Sequence, residues 1–195
     1  MASKNNGRDN VLHQHRHPHC LKELSANALV SASEKYHQDR SLKVLQCNFE
    51  LNGQPMSTFK VGAISFSAFS GLGKRANLRS FACLPGVGPI PPGKYYIIDR
   101  QSGGLLGPLR DIFTQRSEWF ALYAADSKID DETFCNSVKR GNFRLHPKGV
   151  TGRSEGCVVI DSISDFGRLK TMLRGAKQEI IPGTQISTYG TLKVV

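Results

Sequence analysis

Residues 144–160 read Arg-Leu-His-Pro-Lys-Gly-Val-Thr-Gly-Arg-Ser-Glu-Gly-Cys-Val-Val-Ile. The segment ending at His146 has strand character, and a glycine-rich loop and a Ser-Glu-Gly-Cys turn lead from it into a second apolar strand, residues 157–160. Such a connection can bring an imidazole and a thiol, eleven positions apart in the sequence, to the same strand ends. The stretch therefore predicts part of a sheet and a candidate site at the strand ends.

The segments around this stretch also have the character of short strands. Residues 42–51 are strand-like, Asn52 and Gly53 form a turn pair, and apolar strand character resumes over residues 59–66. We expect a hairpin with a slightly enlarged loop here. Clusters of Gly, Pro and Ser separate the further strands that we expect, at residues 93–99, 119–124, 142–146 and 186–195.

One helix is predicted late in the chain. Ser162 can cap its start, Asp165 follows three residues on, and Gly175 marks its end. Apolar residues fall at helical spacing between these signals: Phe166, Leu169, Met172 and Leu173. Because strands predominate, we predict a mainly β domain, a β-sandwich or open barrel with one or two covering helices.

Residues 1–40 differ from the rest and are interpreted as a polar, histidine-rich N-terminal leader, followed by a domain over residues 41–195. Residues 21–35 are compatible with a helix. Histidines alternate before it, at His13, His15, His17 and His19, next to Cys20. Alternation alone does not fix the geometry of a metal site, and Pro18 interrupts it, so a mobile leader is favoured over metal binding. A delivery or partner-binding segment is the other interpretation.

The chain carries 26 Lys and Arg against 16 Asp and Glu, a formal net charge of +10. This excess favours an anionic polymer as partner. The basic residues are scattered and no nucleic-acid-binding motif accompanies them, so we do not expect nucleic acid. The longest apolar runs are much shorter than the roughly 20 residues of a membrane span, and no apolar signal-peptide segment precedes the domain.

The five cysteines are odd in number and lack a CxxC spacing. Neither a complete disulfide framework nor a closed zinc site is indicated, and at least one thiol is expected to be free. A free thiol with a pKa of about 8.5 is only slightly ionised at neutral pH, and a neighbouring imidazole can activate it by taking its proton. From spacing alone, a cysteine such as Cys157 is more often a small buried residue, and a histidine such as His146 is often an ordinary loop residue.

The segment from Ser154 to Cys157, with His146 upstream, resembles the signature of YkuD-type L,D-transpeptidases. The resemblance is closer to the DUF2778 branch, which includes the Tlde1 group of type VI secretion effectors. Two further segments fit that branch, Phe-Ser-Ala-Phe-Ser-Gly at residues 66–71 and Gly-Pro-Ile-Pro-Pro-Gly-Lys-Tyr-Tyr at residues 88–96. Together they span roughly residues 45–195.

The resemblance implies a role for each matching residue. Cys157 would be the nucleophile, His146 the general base and later the acid, and Ser154 a loop-orienting or proton-network residue. Gly156 would serve the oxyanion site, together with the amide of Cys157. A second family segment lies beside the cleft, so substrate contacts are expected from Phe69, Ser70 and Gly71.

Two positions depart from the common transpeptidase pattern. Glu155 stands where that pattern has a second histidine, and Val159 stands where it has an arginine. Arg144 or Arg153 could replace this arginine, since a guanidinium suits a carboxylate. We therefore expect substrate contacts from Arg144, Arg153 and Glu155.

The resemblance implies a cysteine-dependent L,D-carboxypeptidase or L,D-transpeptidase that acts on peptidoglycan tetrapeptide stems without a metal or organic cofactor. Such an effector would be made in the cytoplasm without a signal peptide, associate with a secretion apparatus component, act in the target-cell periplasm and require a periplasmic immunity protein. The alternatives are a non-catalytic peptidoglycan-binding module and a housekeeping enzyme that forms crosslinks. A papain-like hydrolase is disfavoured because His146 precedes Cys157.

Overall fold

The computed structural model describes residues 44–100 and 118–195, which belong to the compact unit Ser41–Val195. The leader, with its alternating histidines and the helix expected at residues 21–35, lies outside the described residues. The strands are β1 (Leu45–Phe49), β2 (Ser57–Val61), β3 (Ile64–Ser70), β4 (Gly93–Asp99), β5 (Phe120–Ala124), β6 (Glu132–Cys135), β7 (Val138–Gly141), β8 (Arg144–Pro147), β9 (Val158–Ile160), β10 (Glu179–Ile180), β11 (Ser187–Thr188) and β12 (Gly190–Val194).

Eight of these strands form a closed barrel in the order β1-β12-β4-β5-β8-β9-β3-β2, and β1 pairs with β2 to complete the circle. Two neighbouring pairs are parallel, β1 with β12 and β8 with β9, and the other pairs are antiparallel. The mainly β prediction is confirmed. Of the two arrangements expected, the barrel is the one found, and it is closed.

Alternating side chains of the barrel strands fill its interior. The buried cluster includes two aromatic residues from the first hairpin, Phe49 and Phe59, and Ile97 and Leu192 from the β4–β12 pair. Each has almost no exposed surface, and burying such a side chain stabilises the fold by about 1.5–3 kcal/mol. The intervening residues of each strand point to the outer face.

The α-helix of the described residues, α1 (Ile163–Arg174), covers the barrel. Ser162 Oγ accepts a hydrogen bond from the Asp165 N–H at 3.3 Å, which caps the helix as predicted. The buried helix residues Phe166, Leu169 and Leu173 belong to the same cluster as the barrel interior. The prediction of a covering helix is therefore confirmed.

Two small hairpins lie outside the barrel. In one, β10 pairs with β11, and neighbouring Ile181 packs with Ile98 and Ala121 on the outer face of β4 and β5. The other hairpin pairs β6 with β7, and a disulfide joins Cys135 to Cys83. Cys47 and Cys157 are free thiols, as expected for at least one cysteine.

Two predicted strands are corrected by the structure. Residues 59–66 do not continue as one strand, because Gly62 adopts φ +58° and turns the chain between β2 and β3. Residues 186–195 divide into β11 and β12. Within residues 44–100 and 118–195, no helix has the length and apolar character needed to cross a membrane.

The turn after β3 depends on a buried asparagine. Asn77 has no exposed surface and a φ of +56°, accepts the Ser70 N–H at 2.9 Å and donates to the Gln54 carbonyl at 2.9 Å. We predict that Asn77→Ala lowers the free energy of unfolding by about 1–3 kcal/mol, because the buried Ser70 N–H loses its partner. Urea denaturation checks this. The control Asn136→Ala also changes a positive-φ residue, φ +47°, but in an exposed turn; equal losses for both variants would contradict the prediction.

Candidate active site

The parallel pair β8–β9 organises the candidate site. Leu145 pairs with Val158, and both point into the barrel core. Because side chains alternate along a strand, Arg144 and His146 on β8 point to the outer face. Cys157, just before β9, lies at the position opposite Arg144 and shares that face.

The outer face can be described as two rows across the strands. One row runs from Phe69 on β3 through Val159 and His146 to the tryptophan before β5, Trp119. Cys157 belongs to the adjacent row. Diagonal neighbours in adjacent rows have Cβ atoms about 7–8 Å apart, a separation that an aromatic side chain can span. The fold thus brings the predicted imidazole and thiol to the same patch of surface.

A stacked ring and a carbonyl hold His146 in place. Its imidazole stacks on Trp119 with ring centroids 4.2 Å apart, and the Arg100 guanidinium lies on the Trp119 ring at 5.9 Å. His146 Nδ1 lies 2.8 Å from the Pro147 carbonyl. Because a carbonyl only accepts, this contact requires the proton on Nδ1, and in the neutral ring Nε2 then carries the lone pair.

The Ser154 hydroxyl is the centre of the loop between β8 and β9. It accepts hydrogen bonds from the N–H groups of Gly71 at 3.1 Å and Gly156 at 3.3 Å, and donates to the Cys157 carbonyl at 2.6 Å. Ser154 is buried, so it orients the loop from within. The Gly156 amide is engaged by this contact, which differs from the expectation that it points at an oxyanion.

Gly156 occupies a position that requires glycine. Its φ is +123°, and an added Cβ would lie 2.8 Å from the Phe143 ring and 2.9 Å from Arg140 Nη2. Both neighbours are buried and have little room to move. Gly156 therefore allows the chain to pass closely over β7 and β8 immediately before Cys157.

The segment expected to contact substrate is largely internal. Ser70 has no exposed surface; its hydroxyl donates to the Gly156 carbonyl at 3.2 Å and accepts the Ile90 N–H at 2.8 Å. The expectation of direct substrate contact is therefore corrected for Ser70, which positions the loop. Gly71 is buried against Pro89, and Phe69 retains only 7% exposure in the row beside His146.

The Cys157 thiol is partly exposed and lies 3.9 Å from the Asn142 carbonyl. Burial raises the pKa of the Cys157 thiol above its ordinary value, and a hydrogen bond from the Arg144 backbone N–H and the charge of Arg144 oppose this shift. The negative charges of Asp131 and Glu155 raise the same pKa. The thiol is thus protonated at neutral pH, so its reaction as a nucleophile requires a base.

The two predicted arginines differ in their surroundings. Arg144 binds Asp131 in a bidentate pair, Nη1–Oδ1 2.7 Å and Nη2–Oδ2 2.5 Å, and is mostly buried. Arg153 is exposed, and its Nη2 lies 3.3 Å from Glu155 Oε1. Arg144 is therefore fixed beside the thiol, whereas Arg153 and Glu155 form an exposed pair on the loop.

The sequence analysis missed several residues of the site. Trp119 and Asp131 contact His146 and Arg144, respectively. Arg140 is buried and donates to the carbonyls of Ala82, Gly88 and Pro89, with the latter two at 3.2 and 3.3 Å. The turn-favouring residues Asn136 and Ser137 were a usable sequence signal for the β6–β7 hairpin that carries Arg140, and both adopt positive φ in the structure. No local signal indicated its long-range carbonyl contacts.

Two clefts lie near the candidate site, and neither Cys157 nor His146 is among their lining residues. One, of about 220 Å³, is lined by charged hairpin and loop residues and by Asn142, whose carbonyl faces the thiol. The other, of about 440 Å³, is lined by Trp119 and Pro147 next to His146 and by helix residues such as Ile163. In the part of the chain that the structure describes, no three His, Cys, Asp or Glu side chains are grouped to hold a metal ion.

The charge of Arg144 should tune the reactivity of Cys157. Removing it disfavours the thiolate and leaves Asp131 unpaired, so Arg144→Gln should raise the pKa of the thiol further and slow its alkylation at pH 8. Iodoacetamide labelling as a function of pH, followed by mass spectrometry, measures this.

Cys47 should remain unlabelled in the folded protein, because burial raises its pKa to about 12. Arg168→Gln, an exposed change on α1, is the charge-matched control. An unchanged pH profile in Arg144→Gln, with folding intact by circular dichroism, would show that Arg144 does not act on the thiol.

Comparison with known protein families gives a match that includes the candidate site. The model of the Tlde1 domain matches residues 64–184, which include β3, the β8–β9 pair and α1. No curated protein and no solved structure matches the chain. Since the match covers more than half of the sequence, this chain belongs to the Tlde1 domain family.

Proposed function

We propose that the protein is a cysteine-dependent L,D-carboxypeptidase or L,D-transpeptidase that acts on the tetrapeptide stems of peptidoglycan. The observation that carries the proposal is the placement of Cys157 and His146 on one outer face of the parallel β8–β9 pair. The Ser154 contacts support it, because they hold the backbone on both sides of Gly156 in one conformation. Membership of the Tlde1 domain family, a type VI secretion effector family, supports the same activity.

In the first step, His146 takes the thiol proton as Cys157 Sγ attacks the carbonyl carbon between the third stem residue and the terminal D-alanine. Nε2 is the nitrogen suited to accept this proton, since Nδ1–H is held by Pro147. The raised pKa of Cys157 favours proton transfer during attack over a standing thiolate.

Collapse of the tetrahedral intermediate breaks the amide bond. His146 returns the proton to the leaving nitrogen, D-alanine departs with a neutral amine that then protonates in solvent, and a thioester joins the remaining stem to Cys157. We assign the oxyanion contact to the Cys157 N–H, because the Gly156 N–H is used by Ser154.

The second step is attack on the thioester by an acceptor whose proton passes to His146. The bond between the acyl carbon and Cys157 Sγ breaks, and His146 returns the proton to the departing thiolate, which restores the free thiol. Water releases a tripeptide, a free D-amino acid gives an exchanged stem, and a stem amine gives a crosslink. The two open clefts near the site, one bordered by Asn142 and the other by Trp119 and Pro147, leave room for a donor strand and a separate acceptor.

The proposed setting is that of a secreted antibacterial effector. The family association with type VI secretion supports delivery through a secretion apparatus component. Because the proposed substrate is peptidoglycan, the protein would act in the target-cell periplasm. A disulfide between Cys83 and Cys135 is compatible with an oxidising compartment. A producing cell would then require a periplasmic immunity protein.

The direct test is muropeptide turnover. Purified protein incubated with disaccharide tetrapeptides should release terminal D-alanine, or exchange it when a free D-amino acid is added. Mass spectrometry should show that Cys157→Ala abolishes the reaction, because the thioester cannot form, and that His146→Gln lowers the rate by about 10²-fold or more.

Cys47→Ala is the matched control for loss of a free thiol and should retain turnover, since Cys47 lies in the barrel core. Crosslinked products alone would favour the housekeeping interpretation. An untouched substrate with wild-type protein, together with retention on insoluble peptidoglycan, would replace the enzyme by a binding module.

Val159 stands where the common transpeptidase pattern has an arginine, and this difference generates a separate prediction. Arg144 lies beside Cys157, and Arg153 lies on the exposed loop, so we propose that one or both contact a substrate carboxylate. Arg144→Ala and Arg153→Ala should raise KM for the tetrapeptide several-fold, with the larger effect for Arg144. Arg168→Ala on the outer side of α1 serves as control. If neither Arg144→Ala nor Arg153→Ala changes KM, these arginines do not contact a substrate carboxylate.

A further inference from the structure

We propose that the outer face of β2, β1, β12 and β4 is a docking surface for a carboxylate-bearing anionic polymer, which, if the proposed function holds, is peptidoglycan itself. The lysine row is the name used below for Lys60, Lys193 and Lys94 on this face. It lies outside the candidate active site and takes no part in the reaction described above.

Strand register places these side chains in one line. Lys60 on β2 pairs with Asn48 on β1, Asn48 pairs with Lys193 on β12, and Lys193 pairs with Lys94 on β4. All four residues are exposed, and their sequence neighbours point into the core. With strands about 4.8 Å apart, the row presents three ammonium groups over roughly 14 Å.

No carboxylate of the described residues neutralises the charges of the lysine row, and the Lys94 ammonium lies over the Tyr96 ring with Nζ 6.0 Å from its centroid. None of the three lysines forms an ion pair with any of the described residues. Glu50, the acidic residue just beyond β1, also makes no ion pair with them. Like charges directly opposite in a sheet repel each other, so the pairing of Lys193 with Lys94 destabilises the sheet locally. Binding of an anion between the two ammonium groups would remove this repulsion.

A groove of about 370 Å³ lies over this face. Besides Lys94 and Lys193 it is lined by neutral hydrogen-bonding side chains, Gln46, Asn48 and Thr191. A carboxylate or an amide in the groove would thus meet cationic donors flanked by carboxamides and a hydroxyl group. This combination suits a polymer that carries both carboxylates and peptide bonds better than a purely apolar partner.

The position of the lysine row relative to Cys157 identifies the occupant. In the closed barrel, β12 and β9 are separated by three strands in either direction, so the row lies across the barrel from the nucleophile. A ligand bound there leaves the Cys157 face open. This placement fits retention of the protein on the polymer that carries the substrate stems. An inhibitory partner, in contrast, would have to cover the face that carries Cys157.

Sedimentation with insoluble peptidoglycan sacculi tests the proposal. In the Cys157→Ala background, which separates binding from turnover, Lys94→Gln/Lys193→Gln should weaken retention about tenfold at low salt. It should also make retention less dependent on NaCl, because fewer ionic contacts remain to be screened. The charge-matched control is Lys128→Gln/Lys177→Gln, which removes two exposed lysines elsewhere and should be retained like the parent.

Equal retention of the lysine-row variant and the control would overturn the proposal. So would binding that is confined to anionic lipid vesicles or to DNA, tested in parallel. In the protein with Cys157 intact, the lysine-row variant should process soluble muropeptides at the parental rate, and a loss of that rate would also overturn a docking role. If the parent does not process muropeptides, the proposed function fails, while sedimentation still decides whether this face binds the polymer.

Discussion

Parallel pairing between β8 and β9 determines where every residue of the candidate site lies. Parallel neighbours ordinarily need a crossover of a dozen or more residues, usually a helix, whereas here the ten residues 148–157 make the connection. A loop this short keeps His146 and Cys157 in adjacent rows on one face of the barrel. It also leaves few backbone groups to be satisfied, and a single buried hydroxyl, that of Ser154, binds two of them and the N–H of Gly71 after β3.

Behind this loop, buried polar side chains hold the chain in place together with the packed ring of Phe143. Ser70 and Asn77 secure the turn after β3, and Arg140 reaches from β7 to three carbonyls of the segment over residues 82–89. Each contact joins parts of the chain that are distant in sequence. A rigid support of this kind suits a nucleophile, because the geometry is set before substrate arrives.

Local signals in the sequence account for the parts that were predicted correctly. Ser162 and Gly175 delimit a helix through contacts within one turn, and the short apolar run from Tyr95 to Ile98 after a proline-rich turn indicates a strand. The divided strand at Gly62 was missed because a run of apolar residues conceals a turn made by a single positive φ. The buried environment of Ser70, the stacking of Trp119 on His146 and the partners of Arg140 depend on strand pairings that no short window contains.

Barrel closure has a consequence for how this domain is made. Position 45 pairs with position 190, so the first strand of the barrel completes its hydrogen bonds only with β12, which is synthesised last. Contacts of such high sequence separation slow folding, because a long loop must be ordered before they form. During translation β1 and β4, the two strands that pair with β12, therefore each have one unpaired edge until residues 190–194 leave the ribosome. The core then assembles in a late, cooperative step.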